Sequence, residues 1–225
     1  MREIVLDTET TGLNPDDGDR IVEIGAVEIE HLIPTGRTYH QYINPERSMP
    51  EEAFKVHGLG DEFLADKPVF ASIVDAFVEF VGDVPLVIHN ARFDMRFINA
   101  ELKWAGRRLI PGDRAVDTLG MAQQRFPGQQ NSLDALCRRF GVDGSRRVLH
   151  GALLDCELLA EVYLHLRGGR QTGLDLVASS VGAGRKGGAI ADRPVRPARS
   201  FPASEAELAA HRAFVAKIKD PLWNT

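Results

Sequence analysis

Two carboxylates, Asp7 and Glu9, follow an apolar run at residues 4–6 near the start of the chain. Residues i and i+2 of a strand project from the same face, so both acids emerge together where this strand ends. Neighbouring carboxylates raise each other's pKa unless a cation lies between them. Each acid alone also fits a polar strand end that enters a turn, but the pair favours a divalent metal ion.

Two later segments supply further candidate ligands. Residues 89–94 (HNARFD) end in Asp94, and residues 150–155 (HGALLD) run from His150 to Asp155. Apolar residues follow Asp155 at i+3, i+4 and i+7, which places its carboxylate on the buried stripe of a helix, where a charge needs a cation. Asp94 shows a similar pattern, although it also fits an ordinary acid in a first helical turn, stabilised by the helix dipole.

The types of these residues predict phosphodiester hydrolysis. Carboxylate oxygens suit Mg²⁺ or Mn²⁺ and fit zinc poorly. Two such ions roughly 4 Å apart can assist an in-line attack of water on phosphorus. His150 would point about 140° away from Asp155 on a continuous helix, so we expect it on the preceding loop, next to Gly151. With an ordinary pKa of about 6.5, it can accept a proton from the attacking water.

Alternating and helical apolar patterns predict the elements that position these groups. Strands are expected at residues 3–6, 20–30, 38–43, 86–88 and 115–116. Helices are expected at residues 72–81, from about 93, at 133–137 after an Asn131-Ser132 cap, and at 153–166. Strands followed by alternating helices predict an α/β sandwich.

Composition narrows the class of protein. A chain of 225 residues with 44% hydrophobic content can bury one sizeable core and carry a tail. The net charge of −5 argues against holding nucleic acid by bulk electrostatics alone, although a bound metal can contact phosphate without a basic surface. The two cysteines are too few for a disulfide framework, and neither a leader nor a long apolar run is recognisable, so we expect a cytoplasmic protein.

The C-terminal part has a different composition. Between residues 167 and 200, seven glycines and two prolines accompany seven basic and two acidic residues. Ser204 and Glu207 have capping-box spacing, and apolar residues follow at near-helical intervals up to Pro221. A lone short helix with exposed apolar side chains needs a partner. We therefore predict a catalytic domain at 1–168, a flexible linker at 169–200 and a partner-binding segment at 201–225.

The three acidic segments together resemble the DEDDh family of 3'-5' exonucleases. The segments DTETTG (7–12), HNARFD (89–94) and HGALLD (150–155) occur in the family's order, and the match spans residues 3–166. The resemblance implies a ribonuclease-H-like fold, with a mixed five-stranded sheet flanked by helices. It also implies that Asp7, Glu9 and Asp155 hold two metal ions, that Asp94 completes the second ion's ligands, and that His150 is the general base.

Within that family, the chain is most similar to the proofreading subunits of bacterial DNA polymerase III. Residues 51–59 (EEAFKVHGL) resemble the family's loop near the 3' nucleotide, which makes Glu52 and His57 candidate substrate contacts beside Asp7, Glu9 and Asp155. From residue type alone, Glu52 is an ordinary solvated acid and His57 a packing residue in a loop. The resemblance implies that the DNA 3' primer end is the substrate.

The tail resembles segments that bind other replication proteins. Residues 171–176 (QTGLDL) resemble a sliding-clamp-binding peptide with anchors Gln171, Leu174 and Leu176, although Thr and Leu at its second and last positions depart from the strongest form. Residues 206–211 and the closing Leu-Trp pair resemble the segment that binds the polymerase (alpha) subunit. The candidate contacts there are Leu208, Phe214, Ile218 and Trp223. A tether raises the local concentration of the enzyme at the primer end. A small accessory subunit is a further possible partner.

Three functions are compatible with the catalytic residues. The first is a proofreading exonuclease within a replicase, and the second is a free-standing DEDDh enzyme that trims RNA or short oligonucleotides. The long tail with a capped helix favours the first, because a trimming enzyme needs neither. The third, an inert scaffold, is disfavoured because an inactive site would not retain costly buried acids.

Overall fold

The structure is a computed structural model that describes residues 1–145, 149–168 and 203–218. The chain divides into two units, Met1–Asp175 and Leu176–Thr225. The described strands of the first unit are β1 (Arg2–Thr10), β2 (Ile21–Glu30), β3 (Ile33–Tyr42), β4 (Leu86–Ile88) and β5 (Ala115–Asp117). Its described helices are α1 (Glu51–His57), α2 (Asp61–Leu64), α3 (Phe70–Val81), α4 (Ala91–Trp104), α5 (Thr118–Arg125), α6 (Leu133–Phe140) and α7 (Ala152–Leu166). The second unit contains α8 (Glu205–Val215).

The five strands form one mixed sheet in the order β3-β2-β1-β4-β5. Strands β1, β2 and β3 pair in antiparallel fashion, whereas β4 lies parallel to both β1 and β5. His31 and Leu32 connect β2 to β3 with positive φ angles of 52° and 68°, as a tight hairpin turn requires. The predicted mixed five-stranded sheet flanked by helices is therefore confirmed.

Strand β1 lies in the middle of the sheet and is buried on both faces. Ile4 and Leu6 pack into a core with side chains of α3 and α4, whereas Val5 packs into a second core with side chains of α6 and α7. Because successive side chains of a strand alternate between faces, Asp7 and Glu9 share the face of Val5, towards α7. The side chain of Thr8 lies on the opposite face of the sheet, towards α4.

The structure corrects several of the expected boundaries. Strand β1 continues to Thr10 instead of ending at residue 6, because its backbone keeps pairing with β2. Strand β3 begins at Ile33 instead of residue 38, and this first half is exposed and lacks apolar alternation. Helices α1, α2 and α5 were not predicted, and residues 51–57 form a helix where a loop was expected.

None of the helices in the described part of the chain combines the length and the apolar character that crossing a bilayer requires.

Candidate active site

The predicted acids converge at the end of β1. They line a cleft of about 480 Å³. The residues around it are Asp7, Thr8, Glu9, His89, Asn90, Phe93, Asp94, Leu119, Ser132, Leu133, Asp134, His150 and Asp155. No lysine or arginine occurs among these described lining residues, so the cleft concentrates negative charge. A bound cation would offset that charge.

Three side chains lie close enough to bind one ion. Glu9, His150 and Asp155 each offer a ligand atom, and these atoms lie within 4.8 Å of one another. Asp155 is only 3% exposed, and its Oδ2 lies 3.4 Å from Nδ1 of the half-exposed His150. Oxygen ligands of this kind, on a buried acid beside a second acid, fit Mg²⁺ or Mn²⁺. The residues present are therefore suited to a divalent metal.

Helix α7 approaches the sheet closely where Asp155 must meet Glu9. Gly25 of β2 is paired with Asp7, and a Cβ atom at Gly25 would lie 2.3 Å from the carbonyl carbon of Ala152. The thiol of Cys156 donates a hydrogen bond of 3.1 Å to the Gly25 carbonyl, and burial raises the pKa of that thiol, so it stays protonated. A glycine at position 25 therefore lets the first turn of α7 contact the backbone of β2.

Asp155 lies in the first turn of α7, since the helix begins at Ala152. Asp94 occupies the equivalent fourth position of α4, so both acids can interact with the N-terminal end of a helix. His150 lies on the loop before α7, as predicted, and its backbone N–H donates a hydrogen bond of 3.2 Å to the carbonyl of Val56 in α1.

Asp94 is held by β1 on the opposite side of the strand from Asp155. Its Oδ1 accepts hydrogen bonds from the backbone N–H of Thr8 at 3.1 Å and from the Thr8 hydroxyl at 2.7 Å. Burial nevertheless raises the pKa of Asp94 to about 7. Asn90, which precedes α4, adopts a left-handed backbone conformation, and the carboxylate of Asp117 accepts its N–H at 3.1 Å. The start of α4 is thus anchored to β5.

The raised pKa of Asp94 predicts a pH-dependent stability of the metal-free protein. The unfolded chain releases this proton near pH 3.9, whereas the folded chain retains it up to about pH 7. The free energy of unfolding therefore falls as pH rises between these values, by an amount on the order of a few kcal/mol. In EDTA, Asp94→Asn is expected to be more stable than wild type at pH 8.5, and this difference should shrink by more than half at pH 5, as measured by urea unfolding.

The exposed Asp113→Asn substitution serves as the control for that comparison, because the side chain lies on the surface. It should change the unfolding free energy little at either pH. A difference between wild type and Asp94→Asn that is the same at pH 5 and pH 8.5 would contradict the assignment.

The two predicted substrate contacts line a neighbouring cleft of about 280 Å³. Glu52 is exposed, whereas His57, the last residue of α1, is buried. Nδ1 of His57 accepts a hydrogen bond from the Leu59 N–H at 3.0 Å, and burial lowers the pKa of His57, so the ring is neutral. This cleft shares Thr8, Glu9 and Phe93 with the first one, so a single ligand can contact both.

Several lining residues had no predicted role. Phe93 lines both clefts, and His89 and Asn90 belong to the quoted segment 89–94. Nδ1 of His89 lies 3.0 Å from the Thr118 hydroxyl, and burial lowers the pKa of His89. Ser132 was predicted as a helix cap, which is confirmed, and it also lines the cleft. Their place within or beside a recognised segment was the available signal.

The tail residues are only partly described. The capping box of Ser204 and Glu207 at the start of α8 is confirmed. Leu208 and Phe214 are 42% and 65% exposed on that helix. Ile218 follows α8 at the end of the described residues, whereas Gln171, Leu174, Leu176 and Trp223 lie outside them.

Comparisons with known proteins agree with this geometry. A family model described as Exonuclease matches residues 4–163. DNA polymerase III subunit epsilon of Rickettsia felis is 56% identical over 184 residues, which cover 80% of each chain. The protein of the same name from Escherichia coli is 45% identical over 222 residues, covering 94% of this chain and 91% of that protein.

Solved structures share the fold. The structure of exonuclease X in complex with 5' overhanging duplex DNA is 25% identical, with a TM-score of 0.60, over 74% of this chain and 92% of that one. The nuclease domain of 3'hExo, a DEDDh family member bound to rAMP, has a TM-score of 0.64 at 16% identity, over 75% and 92% of the two chains. At that identity the second likeness concerns the fold alone.

Proposed function

The chain belongs to the Exonuclease family and, within it, to the subunit epsilon proteins of DNA polymerase III, and from this premise we propose that it removes mispaired 3' nucleotides for a bacterial replicase. The observation that carries the proposal is the convergence of Glu9, His150 and Asp155, whose ligand atoms lie within 4.8 Å of one another. An acidic site of this kind supports hydrolysis of a phosphodiester at the 3' end.

The acids would hold two divalent ions, Mg²⁺ or Mn²⁺. Asp7, Glu9 and Asp155 are the proposed ligands, and Asp94 completes the second set. The ions would supply positive charge to the attacking and leaving oxygens. The protein's own contribution is to hold the carboxylates in place, through the Gly25 contact of α7 and through the hydrogen bonds from Thr8 to Asp94.

His150 is the proposed general base. It lies on a loop, half exposed, so its ring can reach a water at the cleft, and Asp155 lies 3.4 Å from its Nδ1. A carboxylate at this position can orient the imidazole for proton transfer. The hydrogen bond from the His150 backbone to Val56 connects this loop to α1, which also carries Glu52 and His57. A 3' nucleotide in the neighbouring cleft would therefore lie beside His150.

The C-terminal part of the chain provides the proposed contacts with other replication proteins. We propose that residues 1–168 form the exonuclease domain, that residues 201–225 bind the alpha subunit, and that residues 169–200 connect the two and carry the clamp-binding residues 171–176. The exposed apolar side chains of α8 support the polymerase contact, because such residues are normally covered. A small accessory subunit and a position at the replication fork in the cytoplasm complete the proposal.

The experiment that tests the function follows a labelled primer-template with a mismatched 3' end, beside a paired one and a single-stranded RNA of equal length. In Mg²⁺ the full chain should release 3' mononucleotides from DNA, faster at the mismatch, and EDTA should stop the reaction. Preferential degradation of RNA would favour the free-standing trimming enzyme. No hydrolysis of any substrate would favour the scaffold.

The polymerase contact predicts a separate effect of Phe214→Glu. A charge on the exposed apolar face of α8 should weaken binding to the alpha subunit at least about tenfold, since a buried aromatic anchor contributes 2 kcal/mol or more at an interface. Hydrolysis of a free primer end should not change. Surface plasmon resonance against the alpha subunit measures the first quantity, with Arg212→Gln on the same helix as the control. Undiminished binding would remove α8 from the interface.

A further inference from the structure

We propose that the outer face of α4 binds the phosphates and a base of a polynucleotide strand that leads into the active site. We call this surface the α4 ridge and define it by Arg92, Arg96, Lys103 and Trp104. The inference deepens the proposed nuclease function and rests on it for the identity of the ligand. The ridge is separate from the acids and from the neighbouring cleft that holds Glu52 and His57.

The basic residues of the ridge share one side of α4. Arg92, Arg96 and Lys103 are spaced by four and seven residues, so they lie along one stripe of the helix, and all three are exposed. With Trp104 they line a groove of about 460 Å³. The stripe from Arg92 to Lys103 spans about 16 Å at the rise of a helix, which corresponds to about five phosphates of one duplex strand.

The ridge and the catalytic cleft are lined by neighbouring residues of α4. Arg92 directly precedes Phe93, which lines the catalytic cleft, and Asp94 follows on the buried side of the same turn. Any strand whose 3' end reaches the acids must pass the mouth of the cleft. Helix α4 is therefore a structural continuation of the active site.

The charges on the ridge complement a polyanion. Arg96 donates to Asn14 at 2.6 Å and to the exposed acid Asp16 at 3.2 Å, so part of its charge is already balanced. Arg92 and Lys103 form no ion pair with any residue in the described parts of the chain. These two positive charges contrast with the net charge of −5 of the whole chain and with the acidic catalytic cleft. The ridge thus offers the attraction for phosphate that the cleft itself lacks.

Trp104 adds a surface on which a base can stack. Its side chain is 50% exposed, and the guanidinium carbon of Arg20 lies 5.0 Å from the ring centroid. Arg20 is fixed in turn by a hydrogen bond of 2.7 Å to the buried Glu101. The indole is therefore held in place before any ligand arrives. Exposed aromatic rings beside basic side chains are typical of single-strand binding surfaces.

The first test measures binding without hydrolysis. The full chain is titrated with fluorescent single-stranded DNA in EDTA over a range of salt concentrations. The double variant Arg92→Gln/Lys103→Gln should reduce the slope of log K against log[salt] by about 1.4, because each phosphate contact of a single strand contributes about 0.7. The control Arg138→Gln/Arg167→Gln removes two exposed charges elsewhere and should leave the slope unchanged. Equal slopes for wild type and the ridge variant would overturn the proposal.

Trp104 is tested by two substitutions. Trp104→Ala should weaken DNA binding about tenfold, the effect expected for loss of one stacked base, and Trp104→Phe should restore most of the affinity. A polyglutamate peptide of equal charge provides the competing ligand. Binding of that peptide as tight as that of DNA, with no difference between Trp104→Ala and Trp104→Phe, would assign the ridge to an acidic protein and overturn the polynucleotide.

A kinetic comparison separates the ridge from the active site. In Mg²⁺ the ridge variant should raise KM for an oligonucleotide with little change in kcat. A nitrophenyl ester of a mononucleotide is too short to reach the ridge, so its hydrolysis should be unaffected. Failure of the wild type to cleave either substrate would count against the proposed function, whereas equal KM values for the oligonucleotide would count against the ridge alone.

Discussion

Asp155→Asn is expected to hydrolyse a mismatched primer end at least about a thousandfold more slowly than wild type. The substitution keeps the shape of the side chain but removes the negative charge that the proposed metal ligand needs. A metal ion contributes several kcal/mol to the stabilisation of charge in the transition state, and each 1.36 kcal/mol corresponds to a factor of ten in rate. Asp155 is 3% exposed and lies beside Glu9 and His150, so no nearby solvent can replace it easily.

A thermal measurement shows whether the loss comes from metal binding. A ligand that binds only the folded state stabilises it, so Mn²⁺ should raise the Tm of the wild type. The same concentration should raise the Tm of Asp155→Asn much less. In EDTA the variant should be no less stable than wild type, because a buried charge has been removed. The exposed Asp113→Asn protein serves as the control, and full activity in Asp155→Asn would exclude Asp155 as a ligand.

Much of the fold and of the site could be predicted because local patterns and tertiary structure agree there. The apolar residues of β1 contribute side chains to both cores, and the continuous apolar run at residues 4–6 predicted their burial. His150 was placed on a loop by helix geometry alone, and α7 does begin after it. Asp94 and Asp155 were identified as candidate ligands because a charge on the apolar stripe of a helix is unfavourable without a nearby cation.

What could not be predicted depends on contacts between distant segments. Helix α1 is short and mostly exposed, so its pattern carries little apolar signal, and its role in holding the His150 loop arises from one backbone hydrogen bond to Val56. The raised pKa of Asp94 depends on its burial in the folded protein, which outweighs the opposing effect of the hydrogen bonds from Thr8. The spacing of Arg92, Arg96 and Lys103 places them on one side of α4, but their position in a groove with Trp104 beside the catalytic site comes from the structure. None of these follows from spacing along the chain.

Gly25 shows how strongly a distant residue can control the site, and Gly25→Ala should lower activity about a hundredfold. A Cβ atom there would lie 2.3 Å from the Ala152 carbonyl carbon and 2.4 Å from the Leu153 nitrogen, far inside contact distance. Both neighbours are backbone atoms, so the first turn of α7 must move away from β2 as a unit. Asp155 and the preceding His150 would move with it. A displacement of about 1 Å costs about 10²-fold in rate when it misplaces reacting groups.

The effect on metal binding distinguishes this displacement from simple loss of folding. If α7 shifts, the proposed ligands on β1 and α7 separate, so the Mn²⁺ concentration at half-maximal activity should rise while far-UV circular dichroism is unchanged. Gly112→Ala is the matched control, since a Cβ atom there meets nothing within 4 Å, and it should behave as wild type. An unchanged Mn²⁺ midpoint in folded Gly25→Ala would mean that α7 accommodates the methyl group without moving Asp155. The same close approach that makes Gly25 necessary is what brings the carboxylates of Glu9 on the strand and Asp155 on the helix together.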